Sequence, residues 1–217
     1  MLSRLCRNRQ ASVAIEFAVC LPVMVIMYIG SYIVADEVAC NRRVTIATRT
    51  LTDLVSRSLS PSAVAANPAG TDATALMSAA TLTLVPYSNV NATENVALLR
   101  VCDASHAYVI WSQAVNYSAS GTATATTPAL TAATLTSSSV ISVPANMITT
   151  PMVPTSPDSS NVCSNFATGT ANTVQVGTAG AYLFVSEVDF AYQPLIGFGF
   201  PTTIALGNML FMSPRLS

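Results

Sequence analysis

A 23-residue run, Val13 to Ala35 (VAIEFAVCLPVMVIMYIGSYIVA), has Glu16 as its single charge. As a helix such a run is about 34 Å long, enough to cross a hydrocarbon core of about 30 Å. Pro22 sits inside it, where a membrane span tolerates proline better than a soluble helix does. Tyr28 and Tyr32 fall toward its far end, where amphipathic rings favour the interface. The run is longer than the apolar core of a typical secretory signal, and no clean small-x-small cleavage site follows it. Lipid attachment at Cys40 would put the charged Glu37 where an apolar residue is expected. The sequence therefore predicts a transmembrane helix over residues 12–35, preceded by a basic leader, 1–11, with Arg4, Arg7 and Arg9.

Charge elsewhere is sparse. Only 9% of the 217 residues are charged, far below the roughly 25% of soluble domains. Residues 1–57 hold seven Arg against four acids, and residues 58–217 two Arg against six acids. So poor a cation supply cannot track a phosphate backbone, which excludes nucleic acid as a partner. Arginines flank the span on both sides, so the positive-inside count does not orient it. The cysteines do. Cys6 and Cys20 belong to the leader and span, whereas Cys102 and Cys163 lie far apart in the polar C-terminal part. A bridge between these two suits an oxidising compartment, which places the C-terminal part outside and the N-terminus in the cytoplasm.

Beyond the span, Val44, Ala47, Leu51, Leu54, Val55 and Leu59 recur at helical spacing, with Arg49, Asp53 and Arg57 four apart on another face. No Gly or Pro interrupts residues 31–60. Two readings fit: one helix running from the span into a stalk over 36–60, or a short juxtamembrane helix folded back on the domain. Residues 61–80 read as a linker, and 81–217 as a β-rich domain. Its strand-like runs are Thr81–Val85, Val96–Val101, Tyr108–Tyr117, Ala181–Tyr192, Thr203–Leu206 and Met209–Met212, with a hairpin at Gly177 and Gly180. Residues 118–139 are almost wholly Ala, Ser, Thr and Gly, and 150–161 carry three prolines three apart, so both read as loops. The predicted class is α+β: a long N-terminal membrane helix, then a mainly antiparallel β domain.

Ala11-Ser-Val-Ala-Ile-Glu16-Phe17-Ala18, followed by Leu21-Pro22 and a long apolar run, resembles the N-terminus of the TadE/TadG-like family. These are minor pilin-like proteins of the tight-adherence (Flp, type IVb) pilus system. Residues 41–56 (NRRVTIATRTLTDLVS) are similar to that family's post-membrane helix, and Ser186–Leu195 with Phe211–Arg215 match near the end. Together these stretches cover about a third of the chain. The resemblance implies a pilin-like fold, a bacterial inner-membrane location with a periplasmic C-terminal domain, and association with a filament at the cell surface. It implies as partners other pilin-like subunits, the Tad inner-membrane assembly machinery, membrane lipid and a prepilin peptidase. That peptidase would cut between Ala11 and Ser12, making Glu16 the fifth residue of the product and pairing it with a neighbouring subunit's amino group. The family pattern has Gly before the cut, where this chain has Ala11. A cleaved form and a permanently anchored form thus both fit.

A carboxylate inside a span costs about 2.5–3.5 kcal/mol at the centre and less near an end, so Glu16 either snorkels to the headgroups or finds a partner. Two other groupings invite chemistry. Cys102-Asp-Ala-Ser-His106 gathers a thiol and the chain's single imidazole, but such pairs normally come from separate parts of a chain, and a structural cysteine explains it better. Glu187 and Asp189, two apart on a strand, read as a solvated strand face before a catalytic or cation-binding pair. No phosphate-cradling loop, zinc spacing or nucleophile elbow is present, so no enzyme activity, cofactor or metal is expected. The expected function is pilus assembly by helix–helix association in the membrane. The alternative is a membrane-anchored periplasmic adhesin or binding domain outside any filament.

Overall fold

The computed structural model describes residues 9–67, 73–87, 92–101, 105–117, 123–126, 140–144, 146–148, 182–194 and 203–215. These belong to two compact units, one from Met1–Cys40 with Tyr192–Ile204, the other from Asn41–Ala191 with Ala205–Ser217.

Helix α1, Arg9–Ser58, is continuous over 50 residues and keeps Pro22 inside it. Of the two readings of residues 36–60, the unbroken helix is therefore the one observed. Its membrane-length part is solvent-facing all round: Phe17 is 63% exposed, Ile26 70% and Tyr28 74%. Farther along, in the first unit, Ile33 and Cys40 are buried, and the Tyr192 phenol donates to Asp36 Oδ2.

The second unit is built on a six-stranded sheet. Its strands are β1 (Ala92–Val101), β2 (His106–Tyr117), β3 (Ala123–Thr126), β4 (Val140–Ser142), β5 (Tyr182–Tyr192) and β6 (Ile204–Met212). The order is β3-β2-β1-β5-β6, with β4 also on β2, and β1 pairs antiparallel with both β2 and β5. The α+β expectation holds at this level. Directly opposed residues share a face. One face therefore carries Glu94, Val96, Leu98 and Arg100 of β1 with Val115, Gln113, Trp111 and Tyr108 of β2 and Val188, Ser186, Phe184 and Tyr182 of β5. A register shift between Leu98 and Leu99 keeps Trp111 and Tyr108 in phase across the bulge. On the other face Ala97, Leu99, Val101, Ala107, Val109, Leu183 and Val185 pack with Val143, Ile148 and Phe211.

The predicted stripe on α1 is the one that is buried. Val44, Ala47, Leu51 and Val55 are wholly inaccessible, together with Thr48, Thr52 and Ser56, while Leu54 and Leu59 are half-buried. The two inner threonines satisfy their hydroxyls on the helix itself, Thr48 on Val44 O at 2.9 Å and Thr52 on Thr48 O at 2.7 Å. Thr48 Oγ1 also reaches the Asn208 carbonyl at 3.4 Å, and the Arg215 amide donates to Ser56 O at 3.0 Å. Asp53 pairs with Arg57 at 3.0 Å and with Arg215 at 3.2 Å. Arg215, from the far end of the chain, takes the place that spacing gave to Arg49.

Two short helices, α2 (Pro61–Ala66) and α3 (Thr74–Thr81), fall in the stretch read as a linker. Pro61 occupies the first turn of α2, where its missing N–H is not required. The strand expected at Thr81–Val85 is instead the end of α3 and a 3-10 turn, Leu82–Leu84. Its five-residue alternation is too short to outweigh the Ala-rich helical run before it. Thr81 and Thr83 also bond their hydroxyls back to Ser78 O and Ala80 O, both at 2.8 Å. The runs at 203–206 and 209–212, expected to add one last strand, are continuous as β6. Strand β3 lies in the low-complexity stretch 118–139. The hairpin at Gly177 and Gly180 and the loop 150–161 lie outside the described residues.

Truncating Leu51, at the centre of the buried stripe, to alanine is expected to cost about 2–5 kcal/mol, whereas Ile46→Ala on the outer face should stay within about 0.5 kcal/mol. Urea unfolding of the full chain in detergent checks both.

Candidate functional site

The residues singled out at the N-terminus lie on α1. Ala11 and Ser12 lie within it, close to Arg9 where its described part begins. Glu16 follows one turn after Ser12, on the exposed surface of the helix among Val13, Ile15, Phe17 and Val19. Helical spacing puts Glu16 and Cys20 on one stripe. Cys20 is a free, exposed thiol.

Cys40 is also free but fully buried, and burial followed by the charge of Asp36 pushes its thiol up to about 11. It is held as a neutral thiol, unreactive at neutral pH. Cys102 and Cys163, the expected disulfide, lie outside the described residues. His106 is exposed at the start of β2, with Nδ1 3.0 Å from Ser105 Oγ.

Glu187 and Asp189 do sit on one face of β5, opposite Asn95 and Thr93 of β1. Glu187 is half-buried and accepts from Asn95 Nδ2 at 3.4 Å, while Asp189 is exposed. Burial raises both carboxyls, and for Glu187 the charge of Asp189 adds to it. Two mutually repelling carboxylates with an amide neighbour make a polar strand face. Among the described residues no three His, Cys, Asp or Glu side chains converge as metal ligands.

The chemically unusual groups are ones that sequence reasoning missed, and they lie on the other face of the sheet. Glu94 is fully buried; its Oε2 is 3.5 Å from the Tyr117 hydroxyl, at the weak limit of a hydrogen bond, and its Oε1 has no partner among the described residues. Burial, only partly offset by Tyr117, raises its pKa to about 8, so the carboxyl is protonated at neutral pH. Burial and the neighbouring Glu94 raise the Tyr117 phenol to about 12. At the other end of that face Arg100 is 5% exposed, its guanidinium carbon 6.0 Å from the centre of the Tyr182 ring. Tyr108, directly opposite Arg100, is raised to about 12 by burial, against the pull of Arg100. The signal for Glu94 was present in the sequence: it alternates in phase with Val96 and Leu98, so any register that buries these buries the acid too.

The chain matches no family model, and no curated protein or solved structure is detectably similar to it.

Glu94 carries a pH prediction. An unfolded glutamate ionises near 4.5, the buried one near 8. Between those values the native state holds a proton that the unfolded state has lost. The contribution is thus complete below pH 4.5 and fades as pH rises to about 8. The slope is about 1.4 kcal/mol per pH unit within the window. Tyr117 is the titratable neighbour, and it stays neutral throughout this range. Glu94→Gln keeps the shape without the proton. Urea midpoints taken from pH 5 to 8.5 should therefore fall less steeply for the variant than for the unaltered chain.

Proposed function

We propose that this chain is a single-pass inner-membrane protein of the pilin-like kind that takes part in building or capping a Flp-type pilus, with its β domain in the periplasm. The observation that carries the reading is α1, one unbroken helix from Arg9 to Ser58 whose apolar front is exposed on every side and whose rear stripe is buried. A helix with so exposed an apolar surface needs lipid or other apolar helices around it. The Ala11–Phe17 motif, similar to that of TadE/TadG-like proteins, adds the second support.

The mechanism is lateral association. The front of α1 packs against the helices of neighbouring subunits, and Glu16 supplies a polar contact to a partner's amino group. An ammonium and a carboxylate buried together are tolerable, whereas either alone is costly. Processing at Ala11–Ser12 would create the corresponding amino group on this chain.

Glu16→Ala should leave membrane insertion intact and abolish piliation. Unchanged piliation would favour a membrane-anchored adhesin or binding domain instead. N-terminal sequencing of the membrane-extracted protein separates the processed form, which begins at Ser12, from the permanently anchored one.

A further inference from the structure

Two buried oxygens on the Glu94 face of the sheet have no hydrogen-bond partner among the described residues: Glu94 Oε1 and Ser186 Oγ. Both residues are inaccessible to solvent. The register makes them neighbours. Glu94 faces Val188 and Val96 faces Ser186, so Glu94 and Ser186 are the diagonal pair of one antiparallel ladder. Diagonal positions lie about 7–8 Å apart at Cα and somewhat closer at Cβ. Both side chains project from the same face of the sheet, and no direct hydrogen bond joins them.

We infer that a single internal water molecule joins Glu94 Oε1 to Ser186 Oγ, tying β1 to β5. The chemistry needed is that of water: a small group that both donates and accepts, and so can pair with an oxygen of a protonated carboxyl and with a hydroxyl at once. Magnitudes favour it. Each oxygen left orphaned shifts folding by roughly 5- to 150-fold toward the unfolded state, and two are present. One immobilised water costs at most about 30-fold and satisfies both. The bridge extends a polar line across the sheet. Ser78 and Thr81 of α3 lie in hydrogen-bonding reach of the Tyr117 phenol, which neighbours Glu94. The line thus runs from α3 through β2 and β1 to β5 by way of the water.

Ser186→Ala gives opposite signs under the two possibilities. With the bridge in place, it removes a hydrogen bond and should shift urea unfolding of the full chain in detergent about fivefold toward the unfolded state. With an orphaned hydroxyl, it deletes a buried unsatisfied group, and the variant should be as stable as the unaltered chain or more so. That outcome overturns the proposal. A crystal structure of the full chain from detergent, at a resolution that shows ordered water, should place one water within about 2.6–3.2 Å of both oxygens. A direct Glu94–Ser186 hydrogen bond, or protein partners for either oxygen without that water, would equally overturn it.

Discussion

Burial of one stripe of α1 holds this architecture together. Val44, Ala47, Leu51 and Val55 lose all contact with solvent, and the helix that carries them also carries the membrane-length apolar segment. A single secondary element therefore has two characters, one of them a stretch long and apolar enough to cross a membrane. Its front is apolar all round, as lipid requires, and its rear is apolar on one side only, as a sheet requires. The three hydroxyl residues in that stripe do not break the pattern, because Thr48, Thr52 and Ser56 each bond to a carbonyl of their own helix. The adjoining carboxylate, Asp53, adds ion pairs with Arg57 and Arg215 that are largely solvent-exposed and worth at most about 1 kcal/mol. Packing, more than charge, fixes the helix on its domain.

The sheet shows a different economy of polar groups on each face. The face with Leu99, Val101, Leu183 and Val185 is apolar at one end and gives way to Asn95, Glu187 and Asp189 at the other, where water reaches the carboxylates. The opposite face is covered, and there Glu94 and Arg100 are sealed in at two ends of the same strand. An acid in such a place keeps its proton. An arginine cannot shed its charge, and it lies instead among tyrosine rings.

Much of this was legible in the sequence, and the reason is periodicity. The 3.6-residue pattern from Val44 to Val55 and the alternation in 181–192 each run long enough to average out individual exceptions, and both elements formed where that pattern put them. Thr81–Val85 failed because five alternating residues carry little information against an Ala-rich helix that leads directly into them. The partnership of Asp53 with Arg215 was invisible for another reason. Local spacing suggests only local partners, and this contact spans most of the chain. Glu94 went unnoticed because charged residues are assigned to solvent by default, although its phase in β1 said otherwise. Glu16 was conspicuous because a lone charge within an apolar run stands out whatever the fold.

The link from Thr48 to Asn208 joins positions 160 residues apart. At ribosomal speeds of about 5–20 residues per second, α1 emerges roughly ten to thirty seconds before the strand it docks beside. Through that interval its contacts with Asn208, Met212 and Arg215 are missing. The stripe must stay shielded while it waits, and this docking is completed only as β6 arrives.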